Sequence, residues 1–448
     1  MAPATSDNLG FLGDLIDRAL KAGADSADAI VADSVALSVS QRLGKPEKLE
    51  RAESSDVELR VLIGRQAAIV STSDRREATI AELVDRAISM ARSVPEDPYS
   101  GLADPEQIAS SFPDLDLNDA AEPEAEGMID YARRAEEAAL AVSGVTNSEG
   151  AEMSWGRTGI SLAASNGFSG AYTRSSRGLS CAVIAGEGTA MEVDYDYTTA
   201  VYAEDLDPAE DVGRRAGERA VSRVGGRKVN TNRVPIIFDR RVSSSLLGHL
   251  LGAINGAAVA RGTSFLIDRL GQPVFAPGIT IIDDPFIPRG HRSRPFDGEG
   301  LAPRKMSIVD DGVLTSWLLS LRSARQLSLA PTGHAGRGAG SPPSPSPANF
   351  HMAAGKTTRS DLIGGVEQGL LVTQMLGSSI SMTTGDYSRG ASGFWIENGQ
   401  IAYPVNEVTI AGNLKDMFKA ITPADDLELR TGVDAPTLRV DGMTVAGR

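Results

Sequence analysis

The chain has 448 residues, of which 41% are hydrophobic and 23% are charged, as is typical of globular proteins. Because this length exceeds one ordinary hydrophobic core, we expect two domains, with three as an alternative. The 59 acidic residues outnumber the 44 basic ones, and the resulting net charge of −15 argues against direct binding to a nucleic-acid backbone.

The N-terminal part of the sequence alternates between helical and strand patterns in an order that excludes a doubly wound fold. An apolar stripe over residues 9–20 predicts a first helix, and alternation over 35–39 predicts a strand. Further strands are predicted near 56–63 and 67–72, followed by a helix over 80–88. Since helices and strands are not strictly interleaved, we expect an α+β arrangement with helices on one face of an antiparallel sheet.

Residues 94–125 interrupt this pattern, because they are rich in proline and acidic residues and lack periodic apolar positions. They predict a surface connection and a possible internal break in the first domain. A helix over about 126–142, a strand-rich region over 145–202 and a helix over 208–223 follow. Together these elements define an expected α+β N-terminal region over residues 1–230.

The segment "VGGRKVNTNRVP" at 224–235 predicts a domain boundary, followed by a mainly β C-terminal domain over 231–448, either a twisted sheet or a partial barrel. One helix is expected at about 241–260. The run "GSPPSPSP" at 340–347 is too rich in proline for a central strand, and therefore predicts polyproline II or an edge strand.

Three short stretches of the C-terminal domain place Asp-Gly or Asn-Gly between apolar residues. They are "VDDGVL" at 309–314, "IENGQI" at 396–401 and "VDGMTV" at 440–445. A type I′ turn needs positive φ at both central residues, which these dipeptides adopt readily. Each stretch therefore predicts a β-hairpin.

The sequence contains a single cysteine and no recognisable signal peptide or membrane-spanning segment. Cys181 is the only cysteine, so no intramolecular disulfide can form, and its strand-like surroundings favour a buried structural thiol over a nucleophile. The N-terminus lacks a basic segment followed by an apolar run, and no stretch of about 18 apolar residues occurs. We expect a cytoplasmic protein without a secretory signal or a membrane span.

The histidines do not form a recognisable metal motif. His249 lies on the predicted helix with Ser245 and Ala253 one turn away, and no HExxH or CxxC pattern occurs. A metal at His249 would need ligands from distant loops, so a structural or interface role is favoured. No G-x-S-x-G elbow marks a serine nucleophile either.

Two polar loops contain candidate binding residues. Arg289, Arg292 and Arg294 lie in "DDPFIPRGHRSRPFDGEG" at 283–300, and such clusters suit carboxylates, including a peptide C-terminus. The alternative is an internally paired surface loop. Asp386 and Arg389 in "TGDYSRGASGFW" could line a substrate groove or only hold their loop.

Several long segments of the C-terminal half resemble the TldD/PmbA family, most closely its PmbA (TldE) branch. They are "LLGHLLGAINGAAVARGTSFL", "PRGHRSRPFDGEG", "SPPSPSP", "TGDYSRGASGFWIENGQIAYPVNEVTIAGNL" and "PTLRVDGMTVAG". The resemblance covers essentially the whole chain and is densest after residue 236. It implies proteolysis by paired TldD-type and PmbA-type subunits that degrade or process peptides. An older description is a modulator of DNA gyrase, which the charge of −15 leads us to expect is indirect.

The TldD branch carries an HExxxH helix just before a "GTS" that this chain shares. Counting back from Gly262, those positions fall here on Leu247, Gly248 and Gly252, and His249 is offset from them. The third ligand of that branch is a C-terminal cysteine, and this chain has no cysteine after Cys181. The resemblance therefore implies no catalytic residue and no cofactor in this chain, with zinc expected only in a TldD-like partner.

We expect a non-catalytic subunit that shapes a peptide chamber, as a heterodimer with a TldD-like subunit or as a homodimer when isolated. The candidate peptide- or partner-lining residues are His249, Arg289, Arg292, Arg294, Asp386 and Arg389. The alternatives are a stand-alone peptide-binding or regulatory protein and a metal-independent hydrolase.

Overall fold

The N-terminal half forms one six-stranded antiparallel sheet with helices on one face. The structure is a computed structural model that describes residues 5–447, with side chains from residue 7. Its elements are α1 (Thr5–Lys21), β1 (Ser26–Arg42), β2 (Lys45–Ile63), β3 (Gln66–Thr72), α2 (Glu77–Ala91), α3 (Ala125–Leu140), β4 (Val145–Ala164), β5 (Ser169–Ala185), β6 (Glu192–Ala200) and α4 (Ala209–Arg223). The strand order is β3-β2-β1-β4-β5-β6.

Strand alternation explains why the helices share one face of this sheet. Val31 of β1 and Val57 of β2 face each other in register and are buried beneath α1 and α2. Trp155 of β4 is buried on the same face beneath α3 and α4. The predicted α+β arrangement is therefore confirmed. Apolar side chains at every second residue of these strands point to the face that the helices cover.

The segment 94–125 runs across the opposite face of the sheet and touches the C-terminal half. Apart from a single 3-10 turn at Pro105–Gln107, it forms no helix or strand. The Ala109 amide donates to the Gly300 carbonyl at 2.8 Å, and the Arg289 amide donates to the Leu115 carbonyl at 2.9 Å. The segment is thus part of the contact between the halves as well as a connection.

The C-terminal half is mainly β, and its larger sheet closes on itself. Its elements are β7 (Asn232–Phe238), α5 (Arg240–Ala253), α6 (Gly256–Ala260), β8 (Ile281–Asp284), β9 (Met306–Asp310), β10 (Val313–Leu314), α7 (Leu321–Leu327), β11 (Ala335–Gly336), β12 (Ser344–Pro345), β13 (Asn349–Met352), α8 (Arg359–Gly364), β14 (Gln368–Ile380), β15 (Asp386–Glu397), β16 (Gln400–Asn413), α9 (Leu414–Lys419), β17 (Ile421–Pro423), β18 (Val433–Asp434) and β19 (Leu438–Ala446). Because β16 pairs with both β15 and β19, the strands β16-β15-β14-β7-β19 close into a five-stranded barrel. A second sheet has the order β10-β9-β8-β13-β18.

The helix expected at 241–260 is in fact two helices, α5 and α6. The Asn255 side chain accepts hydrogen bonds from the Ala257 and Ala258 amides at 3.0 and 3.3 Å, and so caps the start of α6. The prediction of one helix was wrong because this side chain competes with the helical backbone.

Two of the three predicted hairpins are confirmed, and the third prediction was wrong. Asp311-Gly312 and Asn398-Gly399 have positive φ and join β9 to β10 and β15 to β16. In contrast, "VDGMTV" lies inside β19, where the pairing with β7 shifts between Val440 and Met443. Gly442 has a φ of 79°, so this Asp-Gly forms a bulge that bends a barrel strand.

Arg337 joins the C-terminal half to the free face of the N-terminal sheet. Its side chain is fully buried and lies 2.9 Å from Asp28 of β1 and 2.6 Å from Glu58 of β2. Arg60 also pairs with Asp28, and the Gly340 amide donates to Glu58. Buried charges of this kind are tolerated only when each is paired.

Replacing Arg337 with methionine is expected to destabilise the contact between the halves strongly. The change removes a charge that Glu58 and Asp28 require, and breaking one side of a buried ion pair costs about 3–5 kcal/mol of unfolding free energy. Denaturant unfolding of the Arg337→Met variant measures this loss.

The matched control is Arg322→Gln, which breaks the exposed pair between Arg322 and Asp97, also across the halves. An exposed pair is worth at most about 1 kcal/mol. Equal stabilities of the two variants would contradict a special role for Arg337.

Candidate functional site

One face of α5 borders an open groove of about 670 Å³, called here the α5 groove. Ser244, Ser245, Gly248 and Leu251 line it, a spacing that puts them on one side of the helix. The other residues of the lining come from both halves of the chain: Tyr195, Arg241, Val242, Arg292, Pro347, Thr373, Gln374, Met375, Arg389, Thr431 and Val433. The groove therefore exists only where the two halves meet.

The three α5 positions that the resemblance aligns with the metal site of the TldD branch have no metal-binding side chain. Leu247 is buried in the core of the C-terminal half, whereas Gly248 opens onto the α5 groove. At Gly252 an added Cβ would lie 2.9 Å from the Met382 methyl carbon. Hydrocarbon and hydrogen cannot coordinate zinc, so the residues present do not fit that metal at this place.

His249 lies half-buried on α5 beside the groove and packs edge-on against Tyr387, with ring centroids 5.7 Å apart. Its Nε2 is buried and, among the described residues, has no hydrogen-bond partner. Burial, together with the nearby charge of Arg389, lowers the pKa of His249 to about 4. Within residues 5–447, no three His, Cys, Asp or Glu side chains are grouped to hold a metal ion.

The predicted arginines are divided between two places. Arg292 and Arg389 both line the α5 groove, although they lie almost a hundred residues apart. Arg289 instead pairs with Asp116 at 2.7 Å and with Glu204 at 2.7 Å on the N-terminal half. For Arg289, the structure therefore supports the alternative interpretation, in which the arginines of this loop pair with carboxylates of the chain itself.

Arg294 and Asp386 have structural partners outside the groove lining. Arg294 donates from Nη2 to the Ser346 carbonyl at 2.8 Å. Asp386 accepts from the Thr384 hydroxyl at 2.6 Å and from the Asn413 side chain at 3.0 Å, which holds the turn before β15. The structure thus brings Arg292 and Arg389 together in the groove lining, with His249 close to Arg389 but outside that lining.

Tyr195 of β6 is a groove residue that the sequence analysis missed, and Tyr197 lies beside it outside the groove lining. Their rings stack with centroids 6.3 Å apart, and the Arg241 guanidinium lies 4.7 Å from the Tyr195 ring. The signal was present in "EVDYDYTTA", where tyrosine and aspartate alternate along an edge strand. The alternation predicts that the tyrosines and the aspartates lie on opposite faces of β6, but only the packing of the two halves shows that Tyr195 lines the groove.

Cys181 lies away from the groove and is 1% exposed. Burial and the nearby carboxylates of Glu136 and Asp196 raise the pKa of its thiol to about 12. The predicted burial of Cys181 is confirmed, and a raised pKa makes a thiol a poorer nucleophile at neutral pH.

The low pKa of His249 predicts a pH-dependent loss of stability. An unfolded histidine gains a proton below about pH 6.5, whereas the folded one does so only near pH 4, so stability falls as the pH is lowered between these values. Because His249 is partly exposed, we expect about 1 kcal/mol more loss in the wild type than in His249→Asn between pH 6.5 and 4.5. Denaturant unfolding at both pH values measures it, and parallel pH profiles would contradict it.

Comparisons with known proteins agree with this architecture over nearly the whole chain. Family models described as PmbA/TldA metallopeptidase domain 1, central domain and C-terminal domain match residues 27–91, 118–224 and 231–447. In the part of the chain that the structure describes, no helix is both long and apolar enough to cross a membrane.

Relatives and a solved structure extend the match. "Metalloprotease PmbA" of Escherichia coli O157:H7 is 38% identical over 427 residues, covering 95% of this chain and 93% of the relative. "Metalloprotease PmbA homolog" of Haemophilus influenzae is 37% identical, covering 96% and 94%. A crystal structure from Bacteroides thetaiotaomicron, described as a modulator of DNA gyrase, is 28% identical with a TM-score of 0.91 and covers 99% of each chain. The chain therefore belongs to the PmbA/TldD metallopeptidase family, in its PmbA branch.

Proposed function

We propose that this chain is the PmbA-type subunit of a cytoplasmic TldD/PmbA-type peptidase that degrades or processes peptides. In this proposal it shapes the peptide chamber, and a TldD-like partner supplies the zinc and the hydrolytic step. The observation that carries the proposal is the α5 groove, which lies on a helix with Leu247, Gly248 and Gly252 at the positions that hold metal in the TldD branch.

The groove has the features that an extended peptide requires. β14 pairs with β7 only over Leu370–Val372, and beyond Val372 no second strand pairs with that edge of β14 in the described part of the chain. Thr373, Gln374 and Met375 continue this edge along the groove wall. A free strand edge binds an extended peptide through backbone hydrogen bonds, largely independently of its sequence.

A metal-independent hydrolase is less well supported by the same residues. Ser245 is one helical turn before His249, but its hydroxyl donates to the Val242 carbonyl at 2.6 Å. The His249 Nε2 has no partner among the residues described. Without a hydrogen bond between them, the two side chains do not form the activated pair that a serine nucleophile needs.

The decisive test compares the isolated chain with the chain co-expressed with a TldD-like subunit. We expect zinc and peptide cleavage in the complex and neither in the isolated chain, as measured by metal analysis and by cleavage of an unfolded peptide. Mass measurement of both samples distinguishes a heterodimer from a homodimer. Chelator-sensitive cleavage by the isolated chain would overturn the proposal, and cleavage insensitive to chelator would favour the metal-independent hydrolase.

Filling the groove should reduce peptide processing without damaging the fold. An added Cβ at Gly248 meets no atom within 4 Å, so Gly248→Trp fits the helix and projects into the groove. We expect at least about a tenfold loss in kcat/KM of the complex, since each lost 1.4 kcal/mol of peptide binding is tenfold. Gly13→Trp on α1 is the control, because Gly13 is an exposed helical glycine with equally open surroundings. Equal activity of the two complexes would contradict the placement of the peptide.

A further inference from the structure

We infer that the α5 groove selects peptides with acidic side chains, and that Arg292 and Arg389 bind those carboxylates. The inference rests on the proposed function, because it assumes that the groove holds a peptide. It adds the chemical class of the substrate and the two residues that recognise it.

The groove has the opposite charge to the chain around it. The lining includes Arg241, Arg292 and Arg389 and no aspartate or glutamate. The whole chain has a net charge of −15. A concave surface of one sign concentrates ligands of the other sign, while the acidic remainder of the surface repels them.

Two of the three arginines in the groove lining have no carboxylate partner among the described residues. Arg241 is paired with Asp194 at 2.9 Å. In contrast, neither Arg292 nor Arg389 has a carboxylate within ion-pair distance among residues 5–447 that the structure describes. A guanidinium without a carboxylate partner that lines a groove can pair with a carboxylate brought by a ligand.

A second crevice between the halves has a volume of about 710 Å³ and is also lined by arginines, but these arginines are paired with carboxylates of the chain. There Arg215 contacts Asp207 at 2.6 Å, and Arg430 contacts the same carboxylate at 3.2 Å. Arg240 is paired with Glu428. Carboxylates of the chain itself already occupy these guanidinium groups, so an acidic ligand would have to displace them.

Contacts with the backbone hold the two unpaired arginines in place. Arg389 donates from Nε to the Gly377 carbonyl at 2.8 Å, which leaves its terminal nitrogens for another acceptor. The Arg292 stem lies against Gly432, where an added Cβ would be only 2.6 Å from its Cγ. A side chain fixed by its stem loses less entropy on binding a carboxylate, and guanidinium geometry allows two parallel hydrogen bonds.

The other lining residues favour a peptide over a nucleic acid as the source of the negative charge. Val242, Leu251, Met375 and Val433 are apolar and lie in the same groove as the arginines. Alternating apolar and acidic side chains of an extended peptide match such a mixed surface, whereas a phosphate backbone requires a continuous basic track.

The test measures binding of two fluorescent peptides of equal length to the full chain. One carries glutamate at alternate positions, and the other carries glutamine there. We expect the acidic peptide to bind about tenfold more tightly at low salt and the preference to shrink as salt is added, because exposed ion pairs are screened.

The double variant Arg292→Gln/Arg389→Gln should weaken binding of the acidic peptide to about that of the glutamine peptide, and so remove this preference. The control is Arg86→Gln/Arg214→Gln, which removes the same number of positive charges from exposed helix surfaces outside the groove. It should retain the preference, so that a general charge effect is distinguished from recognition in the groove.

The outcomes separate this inference from the proposed function. Equal binding of both peptides, with cleavage of both by the complex, overturns the inference and leaves the proposed function standing. Binding of neither peptide overturns the inference, and only a failure of the complex to cleave either peptide overturns the proposed function as well. Tighter binding of a single-stranded oligonucleotide than of the acidic peptide, lost in the groove variant, would assign the arginines to nucleic acid and overturn the inference.

Discussion

The α5 groove lies where the two halves of the chain meet, and the buried ion pairs that Arg337 makes with Asp28 and Glu58 belong to that contact. Those pairs fix the C-terminal half against the free face of the N-terminal sheet. Tyr195 belongs to that sheet, whereas the α5 and β14 walls belong to the other half, so the width of the groove is set by how the halves meet. Because buried charges are costly unless paired, the contact is specific to one arrangement.

Small residues on α5 give the groove its shape. Gly248 opens onto it with no side chain, and Gly252 allows Met382 to approach the helix. Glycine lowers helix stability by about 1 kcal/mol relative to alanine. α5 tolerates this because Leu246 and Leu250 on its other side are buried in the C-terminal core. Packing therefore stabilises α5 where helix propensity does not, and its glycine face remains available for a ligand or a partner.

Local patterns in the sequence predicted those features that depend on neighbouring residues. Alternation along strands identified the α+β N-terminal region, and Asn398-Gly399 was found as a hairpin turn. The same rule wrongly predicted a hairpin turn at Gly442, because β19 pairs with β7, about two hundred residues earlier in the chain, on both sides of this glycine. Which of the six candidate residues line one groove was likewise beyond the sequence, since this depends on how distant segments pack. The family resemblance led us to expect no metal site in this chain, but the groove itself could be found only in the structure.

Two strand edges border the groove, and their arginine contacts distinguish them. On β6, the Tyr195 carbonyl accepts from Arg241 at 2.9 Å, and the Tyr197 carbonyl accepts from Arg430 at 3.3 Å. These side chains occupy the backbone acceptors that an added strand would need, which is one way proteins protect an exposed sheet edge. The edge of β14 beyond Val372 has no strand partner within the described residues, and the arginine contact on β14 is the one that Arg389 makes with the Gly377 carbonyl at 2.8 Å, past the groove residues Thr373, Gln374 and Met375. An extended peptide would therefore pair with β14, which is the neighbour of β15 and therefore of Arg389. Its acidic side chains would then lie near the Arg389 guanidinium, which has no carboxylate partner among the described residues.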